Sequence, residues 1–163
     1  MIYLVDIDPS NWRLDLKVAE SQKNYVASSA VMLARAYAYR EQRSRAFVIY
    51  DDETPVGMGM YHDCPELDAF DLSQLFIDER YQGKGYGRAM IQFVADRYKD
   101  RYFTLQVGTG DSPATIPFYE SCGFVRHHVV ENFFLDYYDH PIFEGGRQLK
   151  DMVYLRMATE KKP

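Results

Sequence analysis

The sequence predicts a single α/β (α+β) domain covering residues 1–163. Three observations carry this expectation. The chain has 163 residues, within the ~100–200 that one hydrophobic core usually serves. It is 47% hydrophobic and 26% charged, which suits a folded globule and excludes disordered and collagen-like classes. Short β-type runs alternate with helical stretches, with no internal repeat, low-complexity block or linker between them.

Taken in order, Ile2 to Ile7 is an apolar run that predicts a first strand. Asp8-Pro9-Ser10 predicts a helix start, with Pro tolerated in the first turn and Asp8 or Ser10 as cap. Asn24 to Arg40 is alanine-rich and predicts a second helix, with Val26, Ala30, Leu33 and Tyr37 at helical spacing. Ala46–Tyr50 and Val56–Tyr61 flank a polar turn and predict a hairpin. Gly57 and Gly59 inside its second strand predict a close approach on one face. Asp71–Ile77 predicts a third strand of that sheet, and Tyr81–Gly87 a glycine-rich turn. Arg88–Tyr98 then predicts a helix that buries Met90, Ile91, Val94 and Tyr98. Tyr102–Val107 is the next strand. Ser112-Pro113 opens a short helix that stops at Cys122-Gly123, glycine being a common helix terminator. Pro117 is expected inside that helix, where it would remove a backbone bond and kink it. Phe124–Glu131 and Asp151–Met157 complete the strands.

Charge narrows the function. The net charge is −5 and the pI about 5.3, which argues against a phosphate-backbone partner, since nucleic-acid binders carry a basic field. An acidic surface attracts cations, polyamines among them. No apolar run approaches the ~20 residues that span a bilayer, and the N-terminal residues carry no basic, apolar signal pattern. Cys64 and Cys122 make neither a disulfide framework nor a zinc spacing. The expected location is the cytoplasm, with both thiols reduced. The 14 Tyr and 10 Phe suit a pocket, an interface or half-buried sheet positions alike.

The stretch that carries chemistry is Leu72 to Tyr98. A strand runs into Gln82-Gly83-Lys84-Gly85-Tyr86-Gly87, and a helix follows at once. Glycines there let the backbone turn tightly and aim successive N–H groups at one spot. That spot is a helix N-terminus, where the macrodipole favours anions. Lys84 and Arg88 add positive charge, so the residues predict a pyrophosphate cradle. The spacing fits neither a dinucleotide fingerprint nor a Walker A loop.

The same residues resemble the Q/R-x-x-G-x-G/A signature of the GNAT superfamily of N-acetyltransferases, with Gln82, Gly85 and Gly87 at its fixed positions. A second resemblance is Phe118 to Phe124 (FYESCGF), a Tyr on a short helix before a Gly-Phe strand start. The resemblance spans about Ile2 to Met157. It implies a mixed, twisted sheet of about seven strands, splayed into a V between Asp71–Ile77 and Tyr102–Val107 and flanked by about four helices. It implies acetyl-CoA as co-substrate, with pantetheine along the backbone of Leu75, Phe76 and Ile77. The pyrophosphate would lie on the N–H groups of Gly83 to Arg88, with Lys84 and Tyr86 among them. A backbone N–H near Phe76–Ile77 would polarise the thioester carbonyl. Tyr119 fits the general acid that protonates the departing sulfur. Ser112, seven residues earlier, stands where the family often has an Asn that contacts pantetheine.

The acceptor amine must lose a proton before it attacks, because at pH 7 an alkylamine is almost wholly charged. Asp71 is the first candidate for that base, with a water chain held by Ser73 and backbone carbonyls as the alternative; Ser73 stands where some relatives carry Glu, and the alternation of a strand gives the two residues one face. Asp63, Glu66, Asp68 and Asp71 put acids into the segment leading to the acceptor side, where Asp63, Glu66 and Asp68 are candidates for holding a cation. The N-terminal two-thirds is similar to bacterial spermine/spermidine acetyltransferases, and the C-terminal third to other bacterial members of the superfamily. The resemblance therefore implies a primary-amine acceptor, a small cationic amine such as a polyamine first, with an amino sugar or a protein amine as alternatives. A non-catalytic acyl-CoA-binding module is the competing class. The aromatic segment Asn132–Gln148 would wall the acceptor site, build a homodimer interface or pack on itself. The four histidines have no metal-ligand spacing, and His127 and His128 are expected on opposite faces of a strand.

Overall fold

The computed structural model describes residues 1–23, 26–64, 69–100 and 104–159. Its main sheet has seven strands: β1 (Ile2–Asp6), β2 (Arg45–Asp51), β3 (Thr54–Cys64), β4 (Ala69–Ile77), β5 (Thr104–Gly110), β6 (Val125–Val130) and β9 (Met152–Ala158). They lie in the order β1-β2-β3-β4-β5-β9-β6, and β7 (Phe143–Glu144) with β8 (Arg147–Gln148) forms a separate small hairpin. All the main-sheet pairs are antiparallel except β4 with β5. Among the described residues four α-helices accompany the sheets: α1 (Ser29–Ala38), α2 (Tyr86–Tyr98), α3 (Ile116–Ser121) and α4 (Phe133–Asp136).

The helix expected at Asp8 does not form. The Asp8 carboxylate accepts hydrogen bonds from the Ser10 backbone N–H at 2.7 Å and its hydroxyl at 2.6 Å, and Asn11 Oδ1 accepts from Asp8 N–H. These local bonds close a turn in place of a helical one. The chain then runs on without regular structure to Ala19, burying Leu16, Val18 and Ala19. The second expected helix begins later than anticipated, capped by Ser28, whose hydroxyl accepts from Val31 N–H at 3.3 Å. Its buried residue is Met32, while Tyr37 is exposed. Asn24 and Tyr25, at the start of the expected helix, and Tyr102 and Phe103, at the start of the expected strand, lie outside the described residues.

The V comes from a change of strand partners. β4 and β5 pair from Ala69↔Thr104 to Leu72↔Val107 and then part. Beyond that point β4 stays on β3 as far as Ile77↔Gly57, and β5 stays on β9 as far as Gly110↔Met152. A register shift between β3 and β4 pairs Met60 with Gln74 and Tyr61 with Leu72, leaving Ser73 as the extra residue. Such a bulge bends the strand and reverses side-chain alternation. Leu72 and Leu75 consequently pack into the same core, together with Phe70 and Ile77, while Phe76 joins the core under α1. Asp71 and Ser73 therefore do not share a face in the way simple alternation predicts.

Gly57 and Gly59 answer to close packing, as expected. A Cβ on Gly57 would stand 2.5 Å from the Phe76 carbonyl oxygen. One on Gly59 would stand 2.6 Å from the Gln74 carbonyl oxygen and overlap the Phe47 ring. Gly59→Ala is expected to destabilise the protein by about 1–3 kcal/mol, read from urea unfolding; an unchanged midpoint would contradict the packing described.

Asp78 pins the start of the glycine-rich turn. It is 3% exposed, and its carboxylate accepts from Lys17 N–H at 3.0 Å, Arg80 N–H at 3.0 Å, and Arg80 Nε and Nη2 at 2.9 and 3.0 Å. These bonds, the Arg80 side chain foremost, lower its pKa from 3.8 to about 2. A carboxylate depressed in the folded state contributes stability that is full above pH ~4 and is lost as pH falls through about 2. Asp78→Ala is expected to cost about 2–3 kcal/mol at pH 7, with the gap to wild type closing in unfolding curves taken toward pH 2.

Candidate active site

The parted strands open a cavity of about 620 Å³ that runs from the glycine-rich turn, along β4, to α3 and the β7–β8 hairpin. At the turn, Gly83 and Gly85 have φ of +76° and +82°, values that L side chains reach only at a cost. A Cβ on either would meet nothing within 4 Å. The backbone is thus bent toward open space at the N-terminus of α2, a concavity suited to an anion. Gly87 serves packing instead. Its Cβ would approach Phe118 at 3.1 Å, so its smallness seats α2 on α3.

The side chains around the cradle are largely engaged. Gln82 Nε2 donates to the Ile77 carbonyl at 3.0 Å and to Gln22 Oε1 at 3.2 Å, tying the turn to the end of β4. Tyr86 donates to Asp51 at 2.7 Å, and Arg88 donates to Ser121 O and Oγ, each at 2.8 Å. These three residues border the cavity together with Gly83, Gly85 and Gly87. Lys84 does not border it; its Nζ sits 5.7 Å from the Tyr81 ring centroid. Leu75, Phe76 and Ile77 form the β4 wall of the cavity, and Ser73 also borders it.

Tyr119 also borders the cavity. Its helix begins at Ile116, so Pro117 falls in the first turn, where an N–H has no helical partner to lose. The expected kink is therefore absent. The Tyr119 ring packs edge-on to Phe118 and Phe124. Burial, with Cys122 and Glu144 nearby, pushes its phenol up to about 12. Ser112 is 2% exposed beneath this region and accepts from Ala114 N–H; it does not border the cavity.

The expected acidic residues are placed otherwise. Asp71 is buried and accepts from Gln106 Nε2 at 2.6 Å, and Gln106 in turn accepts from Arg156 Nε at 2.8 Å. Burial raises its pKa against the opposing pull of His62, Gln106 and Arg156. Asp63 pairs with Arg43 at 2.8 Å. Neither borders the cavity. Glu66 and Asp68 lie outside the described residues. His127 and His128 are not on opposite faces. The register shifts between Arg126 and His128, the Nδ1 atoms of His127 and His128 lie 2.8 Å apart, and His128 stacks on Tyr154. Among the described residues no three His, Cys, Asp or Glu cluster as metal ligands.

The cavity also holds a residue that sequence reasoning missed. Glu144, on β7, is 3% exposed and lines the cavity together with Phe134 and Tyr138. Its Oε1 has no hydrogen-bond partner among the described residues. Burial raises its pKa, opposed by hydrogen bonding to Ser112. The only signal for it in the sequence is a carboxylate inside the aromatic segment, between Phe143 and the glycine pair.

The site is thus a gap between two parallel strands, with a concavity suited to an anion at a helix N-terminus and a partly buried phenol along its length. The profile of the acetyltransferase (GNAT) family matches residues 10–124, and the chain belongs to that family. It is 35% identical over 121 residues to the spermine/spermidine N(1)-acetyltransferase of Bacillus subtilis (strain 168), covering 68% of this chain and 78% of that one. It is 33% identical over 87 residues to the N-acetyltransferase YvbK of the same organism, covering 52% of this chain and spanning only 56% of YvbK's length. In structure it is similar to a GNAT acetyltransferase from Elizabethkingia anophelis with acetyl-CoA bound, at TM-score 0.74 and 19% identity, over 96% of this chain and 97% of that one. A Bacillus subtilis acetyltransferase in complex with CoA superposes at TM-score 0.74 and 23% identity, over 97% and 99% of the two chains. The mixed, splayed sheet is thus the fold of this family.

Proposed function

We propose that this acetyl-CoA-dependent N-acetyltransferase moves its acetyl group to a small cationic amine of the polyamine kind, by direct attack within a ternary complex. The observation that supports this most is continuity: one cavity joins the anion cradle, the free edge of β4, Tyr119 and a buried carboxylate. The resemblance to a spermine/spermidine acetyltransferase over most of the chain supports the acceptor class. The open space over Gly83 and Gly85 fits a pyrophosphate, and the edge of Leu75, Phe76 and Ile77 fits the pantetheine arm. Bound acetyl-CoA supplies an activated thioester.

The chain's own residues do the rest. Backbone N–H groups from Gly83 to Arg88 hold the anionic head, and one near Phe76–Ile77 steadies oxygen charge at the reacting carbonyl. Tyr119 keeps its proton at Oη across the working pH range and presents it to the leaving sulfur. The Asp71 carboxylate is held by Gln106 and does not border the cavity, so the amine's proton leaves instead through water held by Ser73 and backbone carbonyls. Ser112 supports α3 from below. Lys84 adds long-range attraction for the incoming anion.

The protein is further read as a cytoplasmic homodimer. Exposed Leu135, Tyr137 and Phe143 on the segment beside the cavity favour an interface there. Among the described residues no helix is long and apolar enough to cross a membrane. The test of function is CoA release across a panel of spermidine, spermine, aminoglycosides, amino acids and a lysine peptide. Polyamines are expected to give kcat/KM at least about tenfold above the other amines, about 1.4 kcal/mol of discrimination. Turnover confined to amino sugars or the peptide would replace the acceptor. No turnover with any amine would leave an acyl-CoA-binding module.

A further inference from the structure

We propose that Glu144, with the rings of Phe134 and Tyr138, binds an ammonium group of the acceptor. The inference rests on the cationic-amine reading above and names the residues that would recognise the charge. Glu144 is 3% exposed and borders the cavity, and its Oε1 has no hydrogen-bond partner among the described residues. Ser112 hydrogen-bonds the carboxylate, but among the described residues no cation pairs with it; a buried carboxylate without a counter-charge is costly, and a cationic ligand removes that cost.

The obvious internal partner is taken. Arg147 sits directly opposite Glu144 in the β7–β8 hairpin, but its guanidinium donates to Asp111 at 2.9 Å. The rings of Phe134 and Tyr138 stack at 5.5 Å between centroids and border the same cavity. A carboxylate and aromatic rings lining one cavity are the chemistry that selects an ammonium, through a charge-assisted hydrogen bond and cation–π attraction. Leu149 and Met152 also border the cavity. The acidic residues Asp63 and Asp71, in contrast, are engaged by Arg43 and Gln106 away from the cavity.

Glu144→Gln keeps the shape and removes the charge, so it tests the assignment directly. Spermidine binding is measured by calorimetry on wild type and variant, alongside the steady-state KM for spermidine. The variant is expected to weaken spermidine binding and raise its KM about 10- to 100-fold, the usual worth of a hydrogen bond to a charged group. Spermidine is also expected to raise the melting temperature of wild type and leave that of Glu144→Gln unmoved. Because the change relieves a buried unpaired charge, the variant itself is expected to melt no lower than wild type. Spermidine turned over with KM within twofold of wild type would overturn the role of Glu144 while leaving the polyamine reading intact. Spermidine that neither binds nor reacts with wild type would overturn that reading, and this inference with it.

Discussion

Gly85→Asp is expected to abolish acetyl-CoA binding. Gly85 caps α2 at φ +82° with nothing within 4 Å of the position a Cβ would take. The substitution acts twice. A side chain in the left-handed region costs roughly 1–2 kcal/mol of folding stability. The new carboxylate also enters the concavity where a pyrophosphate would sit, and repulsion at ~4 Å with an effective dielectric of ~20 is worth about 4 kcal/mol. Calorimetry should register a loss of at least ~100-fold in affinity. Gly85→Ala separates the two effects. It carries the conformational cost without the charge, and the open space imposes no clash. It should lower stability by ~1 kcal/mol and leave the affinity within a few-fold. Gly85→Asp binding acetyl-CoA like wild type would show that the glycine turn holds no pyrophosphate.

Tyr119→Phe carries the next largest effect. Removing a positioned acid is expected to lower kcat about 100-fold, while the KM for acetyl-CoA stays within twofold, because the ring and its packing on Phe118 and Phe124 are kept. The raised phenol pKa, about 12, fixes the pH dependence. The protonated form is the active one and dominates below that value. No alkaline loss of kcat attributable to Tyr119 should therefore appear below about pH 11. The high pKa also makes full proton transfer uphill to a thiolate whose ordinary value is ~8.5, so the gain depends on the cavity disfavouring a bare thiolate. An unchanged kcat in the variant would reduce Tyr119 to a packing residue.

Much of the fold is legible in the sequence because its signals are local. The strand, glycine turn and helix from Leu72 to Tyr98 form as their glycines and apolar spacing predict, with Met90, Ile91 and Val94 buried. The departures share a different cause. Asp8 and Ser10 are helix-start residues by type, yet their side chains bond within their own turn. Pro117 lies in a first turn rather than a helix interior, since α3 begins at Ile116 and not at Ser112-Pro113. The bulges at Ser73 and at His127–His128 invert alternation, and a bulge is set by cross-strand pairing that no single strand encodes. These inversions also explain why Asp71 turns away from Ser73's wall toward Gln106. Glu144 reaches the site only through the fold, from a hairpin far along the chain from the glycine turn.

If the splayed cleft brings an acyl carrier and an amine together for transfer, both products must appear at once. The most direct test is mass spectrometry of the products formed from acetyl-CoA and spermidine, with CoA release followed in parallel. N-acetylated spermidine and free CoA are expected in equal amounts, with both lost in Gly85→Asp. CoA released without acetylated amine, or no product of either kind, would contradict direct transfer in this cleft.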